Sequence, residues 1–64
     1  MIKLMVERFY NTTNKMVYEI RPVYMIKETY YEIYYRYKED SEWFYETTKS
    51  SKESAIKYIK QKGV

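Results

Sequence analysis

The 64-residue chain has no cysteine, no histidine, one glycine and one proline. Each absence excludes something. Without cysteine there is no disulfide framework and no thiolate zinc site. Without histidine as well, the usual general base and the most readily activated nucleophile are both missing, so the sequence points away from an enzyme. Serines 50, 51 and 54 lie near lysines, but helix capping explains them better than a Ser–Lys dyad does. Carboxylates alone hold hard metal ions weakly, so neither a metal nor a cofactor is expected. No apolar run approaches the roughly 18 residues that mark a membrane span. The first residues carry no signal-peptide pattern. A secreted domain this small usually needs disulfides. The expectation is therefore a cytoplasmic, intracellular protein with no membrane partner.

What the chain does have is aromatic mass: ten tyrosines, two phenylalanines and one tryptophan. In the run ETYYEIYYRYK, residues 28–38, five of eleven positions are tyrosine. A chain this short buries only about 60% of the surface it exposes when unfolded. Aromatic side chains compensate, each removing roughly 150–250 Å² from water. The length allows one domain, spanning residues 1–64. Its net charge of +3 permits contact with nucleic acid without demanding it.

Three polar stretches divide the chain: NTTN at 11–14, IKET at 26–29 and KEDS at 38–41. Between them lie segments of strand character. After TKSSKES the pattern turns helical. Ser50 with Glu53 three residues on forms a capping box. Ala55, Ile56 and Ile59 follow at helical spacing, and Lys57, Lys60 and Lys62 suit the C-terminal end of the macrodipole. Gly63 fits a C-terminal cap, with Val64 packing back on Ile59. The fold class predicted is α+β: an antiparallel β-meander of three to four strands with one C-terminal helix on one face.

Alternation assigns the faces. In 29–37, Tyr31, Ile33, Tyr35 and Tyr37 share the core side, and Tyr30, Glu32, Tyr34 and Arg36 the other. A two-residue turn at Lys27-Glu28 sets Tyr24 opposite Tyr31 and Glu19 opposite Arg36, a favourable cross-strand pair. Strand 2–10 joins through a three-residue loop, Thr12 to Asn14, with Asn14 left-handed; Ile2, Leu4 and Val6 then face the core. A helix over 2–9 is the weaker alternative. Strand 42–48 joins through Glu39 to Ser41, with Trp43 and Tyr45 inside. A two-residue turn would instead put Phe44 inside and Trp43 outside, but the former keeps Glu42 and Glu46 out of the core. Pro22 cannot donate to a ladder, so a bulge or an end of pairing is expected there.

The side away from the helix then carries Lys3, Met5, Glu7 and Phe9 on the first strand. The second adds Val17, Glu19, Arg21, Val23 and Met25. Tyr30, Glu32, Tyr34, Arg36 and Lys38 follow on the third, and Glu42, Phe44 and Glu46 on the last. Such a face normally alternates to polar residues. This one is apolar enough to mark an interaction site, and Tyr, Phe, Met and Arg are interface types. Met5, Phe9, Arg21, Met25, Tyr30, Tyr34, Arg36 and Phe44 are its candidate protein-binding residues. Its charges, five acidic to four basic, make a poor phosphate surface. The function these observations favour is a small non-catalytic protein-binding module, acting as a homodimer or as an accessory or inhibitor protein of the viral or phage kind. The partner is then a second copy or another protein. The alternative is nucleic-acid binding through Lys49, Lys52, Lys57, Lys60 and Lys62.

Overall fold

A computed structural model describes residues 6–11 and 15–63. Four strands, β1 (Glu7–Asn11), β2 (Met16–Tyr24), β3 (Thr29–Tyr37) and β4 (Phe44–Lys49), precede one helix, α1 (Lys52–Lys60). They form one antiparallel sheet in the order β1-β2-β3-β4, and the helix packs on it, chiefly against β3 and β4. The fold is the α+β meander that the alternation and the capping pattern predict.

The core lies between helix and sheet. Tyr18, Ile20, Ile33, Ala55 and Ile59 are buried there, with Phe9, Met16, Tyr31, Tyr35, Ile56 and Tyr58 packed around them. Ile33, Ala55 and Ile59 are wholly excluded from water. Tyr24 and Tyr37, at opposite ends of the same side, are more than half exposed, because a nine-residue helix does not reach both ends of nine-residue strands.

The connections are longer than the sequence suggests, and each correction has consequences. Asn11 pairs with Met16, so residues 12–15 make the first connection. Lys15 takes a left-handed backbone (φ 58°); Asn14, expected there, lies outside the described residues. One residue more in the loop reverses the faces of β1. Phe9, opposite Tyr18, therefore belongs to the helix side and not to the open face. Val6, expected in the core, is 45% exposed, while Ile2, Leu4, Lys3 and Met5 lie outside the described residues. The strand reading holds over Glu7–Asn11.

Between β2 and β3, residues 25–28 form the turn, closed by Met25 N–H donating to the Glu28 carbonyl. Glu19 consequently faces Tyr34, not Arg36, and Tyr24 faces Thr29, not Tyr31. This shift of two residues leaves every side chain on its predicted face. Pro22 pairs opposite Tyr31 without a bulge. On the β1 side the residue that would face Pro22 lies outside the described residues.

At β4, Tyr35 faces Phe44 and Tyr34 faces Tyr45. Phe44 thus stands on the helix side and Trp43 and Tyr45 on the other, the arrangement weighed above as the alternative. A bulge then follows, with the register shifting between Ile33 and Tyr34. The extra residue is Glu46, whose carboxylate accepts from the Tyr58 hydroxyl on the helix (2.9 Å).

The helix cap is Ser51, not Ser50. The Ser51 side chain accepts from the Ser54 N–H at 3.1 Å. At the other end Gly63 has φ 94°, a conformation that favours glycine. The turn it completes brings the Lys62 carbonyl to the buried Asn11 side chain, which donates to it at 2.9 Å. That bond ties the end of the chain to β1. Val64 lies outside the described residues.

Candidate functional site

The central strand is buried on both sides. Tyr18 and Ile20 lie under the helix, yet Val17 and Glu19, which point the other way, are only 1% and 4% exposed. Among the described residues no helix covers them, and long side chains of the sheet itself lie over them.

The register explains how. Arg8, Glu19, Tyr34 and Tyr45 occupy one cross-strand row, one residue from each strand. Tyr10, Val17 and Arg36 form the next row, and Trp43 sits at its end, just before β4. The Glu19 carboxylate accepts from Arg8 Nε at 2.8 Å and from Arg21 Nε at 2.5 Å. The guanidinium carbons of Arg36, Arg21 and Arg8 lie 4.9, 5.5 and 5.7 Å from the centre of the Trp43 ring. These arginines come from β3, β2 and β1, so the indole must reach across the sheet from the β4 side, over Glu19. Arg21 also sits 4.0 Å over the Tyr34 ring, and Tyr34 meets Tyr45 edge to face at 5.7 Å. Each such cation–ring contact contributes about 0.5–2 kcal/mol, more as water is excluded.

Arg36 has a further task. Its Nη1 donates to the carbonyls of Lys38 (3.2 Å) and Asp40 (2.5 Å). It thereby holds the β3–β4 connection that delivers Trp43.

Electrostatics follow from this arrangement. Burial pushes the Glu19 carboxyl up, but the hydrogen bonds and charges of Arg8 and Arg21 together outweigh it, and its pKa lies below the ordinary carboxylate value. Arg8 is held above its ordinary value chiefly by its hydrogen bond to Glu19. At the rim the Tyr30 hydroxyl donates to Glu28, which raises the tyrosine pKa.

The charge balance of this face differs from the sequence expectation. Reversing β1 turns Glu7 to the helix side, where it pairs with Lys52, and brings Arg8 to the open side. The bulge turns Glu46 to the helix, within 3.2 Å of Lys62 Nζ. The strand charges left on the open side are Arg8, Arg21 and Arg36 against Glu19 and Glu32. All three arginines of the chain and its one tryptophan are thus on a single face. The first of the two acids is buried and engaged, and the second is half-buried and accepts from the Tyr34 hydroxyl at 3.3 Å.

Of the residues proposed for this surface, Arg21, Tyr34 and Arg36 meet at its centre, and Tyr30 stands at its edge, opposite Val23. Met25 is exposed in the turn beyond β2. Phe9 and Phe44 are on the other face. Arg8, Tyr10, Trp43 and Tyr45 belong to the surface although the expected loop lengths put them elsewhere. The signal was present at Trp43, in the shorter-turn alternative for β4. At β1 only a cation facing Glu19 could have betrayed it.

The lysines of the alternative site are dispersed. Lys49 lies 4.8 Å and Lys62 5.0 Å from the centre of the Tyr58 ring, and Lys52 is paired with Glu7. Hydrogen bonds to Glu7 and Glu46 raise the Lys52 and Lys62 pKa values. Lys57 and Lys60 are exposed on the helix, as Lys52 is. Among the described residues no helix is long and apolar enough to cross a membrane, and no group of three acidic residues is placed to hold a metal ion.

No protein-family model matches the chain, and comparison with curated proteins and with solved structures found no match.

Proposed function

We propose that the protein is a non-catalytic binding protein and that its partner docks on the arginine–tryptophan face of the sheet. One observation carries this reading: the fold gathers every arginine and the sole tryptophan on the side the helix leaves uncovered. Trp, Tyr and Arg are the residue types on which binding energy concentrates. Here they are held in place before any partner arrives, by Glu19 beneath them and by each other, so little side-chain freedom is left to lose on association. Tyr45 and Tyr10, at 55% and 61% exposed, border the cluster and are open to contact. The lysine-bearing helix is the weaker surface, since Lys49, Lys52 and Lys62 are engaged within the fold.

The test compares two variants. Wild-type protein, Tyr45→Ala and the double change Lys57→Glu/Lys60→Glu are each immobilised and exposed to an extract of the native host. Light scattering on each measures self-association. The reading expects whatever is bound, including a second copy, to be lost with Tyr45→Ala and retained with the helix double change. The opposite pattern moves the site to the helix and refutes the proposal.

A further inference from the structure

Resting on that reading, we infer that the partner is single-stranded nucleic acid, with bases stacking on the exposed rings and phosphates held by Arg8, Arg21 and Arg36. The chemistry of the centre decides between a protein and a nucleic acid. Protein–protein interfaces are enriched in Arg but depleted of acidic residues and lysine. The centre here is ionic: a buried carboxylate, two guanidiniums paired to it and a third close by, all around an indole. The exposed aliphatic surface described on this side lies at its margin, at Val6 before β1 and Met25 in the turn after β2, since Val17 is buried and Val23 lies toward one end of β2. A flat sheet bearing aromatic rings interleaved with arginines is the arrangement that stacks bases while tracking a phosphate backbone.

The balance of charge presented outward points the same way. Glu19 is spent beneath the arginines, and Glu7 and Glu46 are sequestered on the helix side. Glu19 engages Arg8 and Arg21 through Nε, which does not consume their Nη donors, and a guanidinium binds phosphate through such donors. Beyond Tyr10 the face runs into a cleft of about 520 Å³ bordered by Lys15 and Lys38 against Glu39, an excess of one positive charge. A four-stranded sheet offers room for about two or three stacked bases. A duplex keeps its bases paired and stacked within, so it could use the charges but not the rings.

Trp43, the chain's one tryptophan, reports on the site directly. The protein is titrated with a 12-residue oligothymidylate, with a DNA duplex of the same length and with heparin, a polyanion without bases, at low salt. The expected result is quenching of Trp43 by the single strand, with binding at least about tenfold tighter than to duplex or heparin. The slope of log K against log salt should be near −2, from about −0.7 per phosphate for three arginine contacts. Tyr45→Ala, a change at an exposed ring, should weaken binding of a fluorescent oligonucleotide by about 5- to 150-fold, the range for loss of one stacked base. Trp43→Ala should do the same or more, provided circular dichroism shows it folded.

Three results would overturn the inference. Heparin binding as tightly as the single strand would make this a polyanion surface with no role for the rings. No binding of any nucleic acid at low salt would exclude the partner class while leaving the docking face to be judged by the capture experiment. Binding that survives Tyr45→Ala and Trp43→Ala but fails with Lys57→Glu/Lys60→Glu would refute both this inference and the reading beneath it.

Discussion

Replacing Glu19 by glutamine removes the charge at the centre of the arginine cluster while keeping its size. The carboxylate is 4% exposed and accepts from two guanidiniums. Hydrogen bonds to a charged group are each worth about 1.5–3 kcal/mol. Two corrections lower the sum. The Arg8 and Arg21 side chains are 52% and 36% exposed, so they regain water when their partner is lost, and a glutamine oxygen can still accept one bond. A net cost of about 2 kcal/mol follows. A chain of this size has a total stability of about 3–10 kcal/mol, and each kcal/mol moves its Tm by about 4–8 °C. Glu19→Gln should therefore lower the Tm by about 8–16 °C at pH 7, followed by far-ultraviolet circular dichroism. The effect should depend on pH. Since the folded-state pKa of Glu19 is below its ordinary value, its contribution is complete above the ordinary carboxylate range. It is lost as pH falls through the lowered folded-state value. The gap between wild type and variant should close over that interval. A variant within about 2 °C of wild type at pH 7, or a gap unchanged down to strongly acid pH, would refute the view that this ion cluster holds the face together.

Ser51→Ala should cost about 0.5–2 kcal/mol by loss of the N-cap, whereas Ser50→Ala should leave the thermal melt nearly unchanged. Ile59→Val, at a site with no exposed surface, should cost about 0.5–1.5 kcal/mol in urea unfolding, and Ile59→Ala, at about 2–5 kcal/mol, should leave much of the chain unfolded. Gly63→Ala should also lower the Tm: the new Cβ would come within 3.3 Å of Asn11 Nδ2 at φ 94°, straining the turn that docks the C-terminal end on β1.

Much of this protein was legible in its sequence. The alternation within 16–24 and 29–37 fixed which of their side chains face the helix, and that assignment survived a two-residue change of register because strand faces repeat every two residues. The spacing of Ala55, Ile56 and Ile59 and the serines before them fixed the helix and its buried stripe. Half of the site was legible for the same reason: Arg21, Tyr34 and Arg36 follow from the parity of the two central strands. The outer strands were not legible. Both of their sides are rich in aromatic residues, Phe9 against Tyr10 and Phe44 against Trp43, so burying either side is nearly equivalent in apolar area. The length of a loop then decides, and one residue more or less reverses a whole strand. The tertiary structure settled that choice with interactions between residues far apart in the chain: Arg8 against Glu19, Arg36 holding the connection before Trp43, and Glu46 bulged toward Tyr58 and Lys62. The buried carboxylate on the central strand takes one cation, Arg21, from its own strand and a second from a neighbouring one. Only the folded sheet brings Arg8 to it from β1 and lays Trp43 over the pair from the edge of β4.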